Sequence, residues 1–414
     1  MHRVTVEMMD CGNSCAMTTT FIPSAQENPN PEELLEPIFP RLKNGIFIST
    51  STVKEEGSIT IATSFHGIEI IHSKARSIIE HFTGALSTVE IASQLDLPLS
   101  IIDSIIKELL NVNFLDTQRN TIKLNNRFQS SIESRAVHTK DQSNDAAYSQ
   151  LQKRLAPELS HATWIKGVRD GGVDLMTARQ NYGIEIIGNS RTATLLYSIL
   201  LASGVTNTRI SLSASYKHPT VVYSDLGTGS LRTTDLGLNF KKRIEELSRE
   251  WSLFPVASSY ALAQRGAPRP VLPEKNLRII CDSFDSQYVE HLLKDGHDHL
   301  FIGRTPGHSA TVGPFVKPGN SPCRHCLSLI EAERVGVAQL SLPLSTSDEL
   351  PIAIAHQVAA LAAHAALKFI DTGESDLLAA QLIVDFLDAL RPRLQRFPQH
   401  PGCSCLWPQE GVLL

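Results

Sequence analysis

The sequence predicts an α/β protein in two parts, an N-terminal winged helix-turn-helix domain followed by a larger α/β domain carrying a structural metal site. Three observations predict it. Between residues 41 and 125, three short alternating apolar runs precede three helix signatures. From residue 181 onward, strands alternate with helices, the pattern of a parallel sheet. Four of the seven cysteines form two tight pairs, Cys323-x-x-Cys326 and Cys403-x-Cys405, and four thiolates so presented suit a closed tetrahedral ion.

Taken in order, residues 1–40 read as a disordered tail, because 17–40 are rich in Pro, Asn, Glu and Thr. A lone Arg3 with no apolar stretch before Asp10 reads against a signal peptide. Cys11 and Cys15 sit in this tail and receive no role. From Gly45, the pairs Ile46/Ile48, Ile59/Ile61 and Ile68/Ile70 alternate as a three-stranded antiparallel meander. A helix over Ser73–Thr83 stops at Gly84, where left-handed geometry is wanted. Ser87-Thr88-Val89-Glu90 is a capping box for a second helix. Ser100 is read as the cap of a third, whose Ile101, Ile102, Ile105, Ile106, Leu109 and Leu110 keep helical spacing. Asn113–Asp116 and Thr121–Leu124 would make the wing.

A winged helix suggests DNA, but the charge argues otherwise. Residues 41–118 carry six Lys/Arg against nine Asp/Glu, and the third helix sets Lys107 against Asp103 and Glu108. Such a helix cannot neutralise phosphate. Peptide capture is the better use: an extended partner adds a strand to the sheet edge and lies against the third helix. That places a peptide along Gly67, Ile68, Glu69, Ile70 and Ile71 and over Ile102, Ile105, Ile106 and Leu109.

Residues 126–180 read as a connector. The α/β domain, 181–414, opens with strand Ile184–Ile187, Gly188 and helix Arg191–Ala202. Then come a strand near Thr208–Leu212, helix Phe240–Trp251, strand Leu277–Cys281, helix Ser286–Leu293 and strand His299–Ile302. The Ala-rich helix Ile352–Ile370 and two strand-like runs, Gln381–Phe386 and Leu390–Phe397, lead to Pro401–Cys405. His356, Gln357, His364 and Lys368 interrupt Ile352–Ile370, so it reads as a buried helix and no membrane is expected. The net charge of -5 over 414 residues gives no reason to expect nucleic acid.

The turn after the first strand is where a nucleotide phosphate would sit. Of the G-x-G-x-x-G pattern only Gly188 survives; Ser190 and Ala193 replace the other glycines. No acidic residue follows the next strand, so this reads as a degenerate site kept for its scaffold. The cysteine pairs follow Pro318-Gly319, Ser321-Pro322 and Pro401-Gly402, turns that aim both sulfurs of a pair at one ion. Four sulfur ligands leave no position for water, so the zinc would be structural. Seven cysteines, four of them in two tight pairs, suggest a reducing cytoplasm with a metal site, the alternative being unrelated cysteines or a disulfide. His291, His297, His299 and His308 are best explained as surface groups, and Cys281, ending an apolar strand, as packed rather than reactive.

The phrase Val312–Leu327, VGPFVKPGNSPCRHCL, with the closing His400–Cys405, HPGCSC, resembles the ThiF-like partner proteins of azole-forming peptide biosynthesis. These are the cyclodehydratase leader-binding proteins that work with YcaO-family enzymes on ribosomally made precursors. The N-terminal block is similar to their PqqD-like recognition element. The resemblance implies a ThiF-like Rossmann-type domain that docks a separate YcaO enzyme, which itself binds ATP and converts Cys, Ser or Thr to azolines. ATP is then not expected on this chain. The motif carries zinc ligation onto Cys323, Cys326, Cys403 and Cys405 only. Self-association as a homodimer stays open. Two other readings compete, an active ThiF-class adenylating enzyme and a winged-helix transcriptional regulator with a zinc-stabilised sensor domain.

Overall fold

The computed structural model describes residues 5–10, 19–21, 37–50, 58–118, 144–211, 220–252, 274–281, 286–305, 308–335 and 349–405. They divide into two units, one formed by described residues up to 118 with 144–176, the other from 177 onward. Cys11, Cys15 and Thr121–Leu124 lie outside the described residues.

In the first unit, β4 (Phe47–Thr50), β5 (Ser58–Ala62) and β6 (His66–Ile71) form the expected antiparallel meander. Ile59, Ile61, Ile68 and Ile70 turn to one face and bury against α1 (Ala75–Glu80), α2 (Thr88–Leu95) and α3 (Leu99–Asn111). The capping box forms as read: the Ser87 hydroxyl accepts the Glu90 N–H, and the Glu90 carboxylate accepts the Ser87 N–H at 2.7 Å. Ser100 is not a cap. The third helix starts two residues earlier than that cap implies, at Leu99 after Pro98, which presets its own φ and makes no side-chain cap bond.

Two features differ from the sequence reading. Thr5–Asp10 (β1) and Thr19–Phe21 (β2), within the stretch read as a tail, are paired strands, and the sheet runs β2-β1-β6-β5-β4. Backbone pairing onto a ready edge is blind to the polar composition that suggested disorder. The wing strand β7 (Leu115–Asp116) pairs upstream with β3 (Arg41–Leu42).

The stretch read as a connector is partly built into this unit. It holds α4 (Asn144–Ala162), and Thr163–Arg169 close over the β3–β7 pair. The Lys43 ammonium donates to Asn113 Oδ1 at 2.7 Å and to the Thr163 carbonyl, while the Thr163 hydroxyl donates to Asp116.

The second unit is a seven-stranded mixed sheet in the order β14-β13-β12-β11-β10-β8-β9. Its parallel part is β8 (Gly183–Ile187), β9 (Asn207–Ser211), β10 (Asn276–Cys281) and β11 (His299–Thr305). An antiparallel extension follows: β12 (Ser309–Val316), β13 (Ala380–Asp385) and β14 (Arg393–Arg396). The reading missed β12 because Pro314 argues against a central strand. A bulge accommodates it, with Gly313 and Pro314 falling between the pairs Ile302↔Val312 and Leu300↔Phe315.

Successive residues of β10 and β11 face opposite ways. Ile279, Leu300 and Ile302 pack with α6 (Arg191–Ala202), α7 (Phe240–Trp251) and the long α10 (Ile352–Thr372). Ile280 and Phe301 pack with α8 (Ser286–Lys294), α9 (Arg324–Val335) and the cysteines. α10 is the single helix among the described residues long and apolar enough to cross a membrane, and it lies in the sheet-covering core. The guanidinium of Arg179, in α5 (Val173–Gln180), makes a buried two-pronged pair with Asp371 at 2.8 and 2.6 Å. His299, expected at the surface, is fully buried. Its Nδ1–H donates to the His297 carbonyl, and burial pushes its pKa down to about 4.

Candidate functional site

The two cysteine pairs, with 76 residues between them along the chain, come together. After β12 the chain turns at Gly319, in the left-handed region at φ 75°. Asn320 and Ser321 donate their N–H groups to the Lys317 carbonyl, and the Ser321 hydroxyl accepts the Lys317 N–H at 2.9 Å. This knuckle delivers Cys323 to the start of α9, and Cys326 follows in its first turn. After β14, Cys403 donates its N–H to the His400 carbonyl, and Gln399 donates to the Cys403 carbonyl.

The four sulfurs lie within 4.8 Å of one another, with Cys323–Cys403 at 3.6 Å and Cys326–Cys405 at 3.4 Å. Those separations are far too long for disulfides. The range from 3.4 Å to the 4.8 Å bound includes the edge of about 3.8 Å expected for a tetrahedron of sulfurs about 2.3 Å from a shared zinc. Burial pushes the Cys323 thiol up to about 11, and burial with the bond to Cys326 raises Cys405 further. At Cys326 burial also raises, but the backbone hydrogen bonds from His400 and Cys323 together with those to the Cys405 and Cys403 sulfurs lower the thiol overall. Three buried thiols and the half-buried Cys405, packed this closely, cannot all ionise together unless a cation shares the cluster. The donor set therefore fits a closed zinc site.

The turn read as a degenerate phosphate site is filled by the chain's own groups. Gly188 has φ 141°, and a Cβ there would come within 2.9 Å of the Cys281 Cβ, so glycine is required for strand packing. The Ser190 hydroxyl caps α6 by accepting the Ala193 N–H. The Glu349 carboxylate accepts the Arg191 N–H at 3.1 Å, and the Arg191 guanidinium donates to the carbonyls of Leu350 and Ser224. An acidic side chain thus sits where a helix N-terminus attracts phosphate. Nothing in the sequence signalled Glu349, which lies 158 residues from the amide it meets.

At the first unit, the Thr63 N–H donates to the His66 carbonyl, and β5 pairs with β6 in that same register. Antiparallel bonding alternates. His66, Ile68 and Ile70 therefore bond inward to β5, and the N–H and C=O groups of Gly67, Glu69 and Ile71 face the outer edge. There β1 pairs antiparallel, Met8↔Ile68, Met9↔Gly67 and Asp10↔His66. On α3, Ile102, Ile105, Ile106 and Leu109 are buried in the domain core, between 0% and 3% exposed. Of the other apolar residues of α3, Ile101 and Leu110 are partly exposed and Leu99 is exposed.

The mixed sheet with helices on both faces, preceded by a small strand-and-helix unit, has solved counterparts. No known family model matches the sequence, and no curated protein matches it. Escherichia coli MccB with MccA-N7isoASN superposes with TM-score 0.56 at 12% identity, covering 89% of this chain and 99% of that one. MccB with ATP gives TM-score 0.55 at 12% identity over the same shares. The microcin C7 biosynthetic enzyme MccB with N-formylated MccA gives 0.55 at 13%, again over 89% and 99%. The chain therefore has the fold of MccB, over nearly all of both chains.

Proposed function

We propose that this protein is a receptor for a ribosomally made precursor peptide. Its N-terminal unit holds the leader as an added strand on β6, and its ThiF-like domain presents the peptide to a separate YcaO-type cyclodehydratase that forms azolines from Cys, Ser or Thr. The observation that carries this reading is the outer edge of β6, whose N–H and C=O groups already take an antiparallel strand. The Val312–Leu327 phrase supports it, as does the shared fold with MccB, a microcin C7 biosynthetic enzyme solved in complex with N-formylated MccA. Because Ile102, Ile105, Ile106 and Leu109 are core, the contact is main-chain pairing along Gly67–Ile71, with α3 as its support. Cys323, Cys326, Cys403 and Cys405 would hold one zinc, which with no open position would tie the chain's end to the α9 loop without activating water.

A second reading has one observation in its favour: MccB itself is solved with ATP. An adenylating enzyme needs an open anion site at the N-terminus of α6, and here Glu349 fills it. Incubating the purified protein with ATP and a short peptide encoded beside its gene separates the two. The receptor reading expects no pyrophosphate without an added YcaO enzyme. Release by the chain alone would establish the adenylating enzyme instead.

A further inference from the structure

The strand seated on the β6 edge belongs to the chain itself. Thr5–Asp10 lies between β2 and β6, giving its first half to β2 (Thr5↔Phe21, Val6↔Thr20, Glu7↔Thr19) and its second half to β6. Met9 is directly opposite Gly67, one of the residues whose N–H and C=O face outward. In an antiparallel ladder such a pair exchanges both hydrogen bonds. The outward groups of Gly67 can serve Met9 or an incoming peptide, but not both.

We infer that Thr5–Asp10 is an internal occupant of the peptide edge, a strand that must leave β6 before a peptide in trans can pair there. This rests on reading β6 as the edge the peptide uses. The strand is tethered, so a free peptide competes against an effective concentration on the order of millimolar. The hold is also short: on β6 it consists of three residue pairs, Met8–Asp10 against His66–Ile68. A tethered but short hold screens peptides. One that pairs over only a few residues cannot displace it, whereas one that continues along Glu69–Ile71 gains pairing that β1 does not make. The apparent affinity of any peptide is reduced by the fraction of time the edge stands open.

The test uses the full chain and its Met9→Pro variant, which lacks the N–H that Met9 gives to Gly67. Two measurements are made on each: amide hydrogen exchange of residues 66–71, and binding of a labelled synthetic peptide with the sequence of residues 1–10. The inference expects slow exchange at Gly67 in the natural chain and faster exchange in Met9→Pro. It also expects the variant to bind the synthetic strand roughly tenfold or more tightly than the natural chain does. Met9→Gly, which only weakens the strand, should move both readouts the same way and stands in if the proline variant does not fold. Equal exchange and equal binding in natural and variant chains would overturn the inference. Failure of the receptor reading would look different: the Met9→Pro effects would persist, while the precursor peptide bound equally well to Glu69→Pro.

Discussion

At the scale of single residues, the chemistry of the second unit is carried by sulfur. Cys323, Cys326, Cys403 and Cys405 draw an α-helix and the chain's last described turn onto one point. Purified protein should contain about one zinc per chain. Cys326→Ser or Cys403→Ser should lose it and lower the unfolding midpoint of the second unit, read by metal analysis and thermal melting together; full metal with unchanged stability would count against the site.

A second residue, Lys43, sets a pH dependence in the first unit. Burial pushes its ammonium down from 10.5 to about 8, against the pull of Asp116, which raises it, and with the push of Arg169, which lowers it. Between those values the unfolded chain holds a proton that the folded chain has released, so stability rises with pH across that window and the burden is full below it. Urea unfolding at the two ends of the window should show this rise in the natural chain and not in Lys43→Met.

At the scale of elements, the turn before α6 and the edge of β6 are both filled by the chain itself. Glu349 gives the α6 N-terminus a fixed carboxylate, an arrangement worth about 0.3–1 kcal/mol. Glu349→Ala should lose about that much stability and gain affinity for ATP relative to the natural chain, measured by calorimetric titration. No gain would mean that Ser190 and the loss of the second glycine already close the turn.

How far these elements could be read from sequence follows from what each one rests on. The meander, the Ser87–Glu90 box, α6 and the cysteine pairs follow from periodicity and local spacing, and the structure places all of them within a residue or two of the reading. β12 escaped because Pro314 hides in a bulge. Glu349 escaped because one hydrogen bond between distant positions leaves no pattern. β1 escaped because a ladder of backbone groups can recruit a segment of any composition. His299 escaped because β11 is buried on both faces, so even its polar side chain lies in the interior.

At the scale of the whole molecule, each unit has its own core, one built on the isoleucine sheet and one on the seven-stranded sheet. The shared fold with MccB spans 89% of the chain and so includes both. Under the proposed function, peptide pairing would fall to the first unit and a zinc-tied docking scaffold to the second. The most direct test of the central claim is a calorimetric titration of a candidate precursor peptide into the natural chain and into Glu69→Pro. Glu69 presents its N–H to the outer edge, so proline there removes a donor an added strand needs. The account predicts saturable binding to the natural chain and its loss in the variant, with the variant's unfolding midpoint retained. Equal binding to both folded proteins would contradict it.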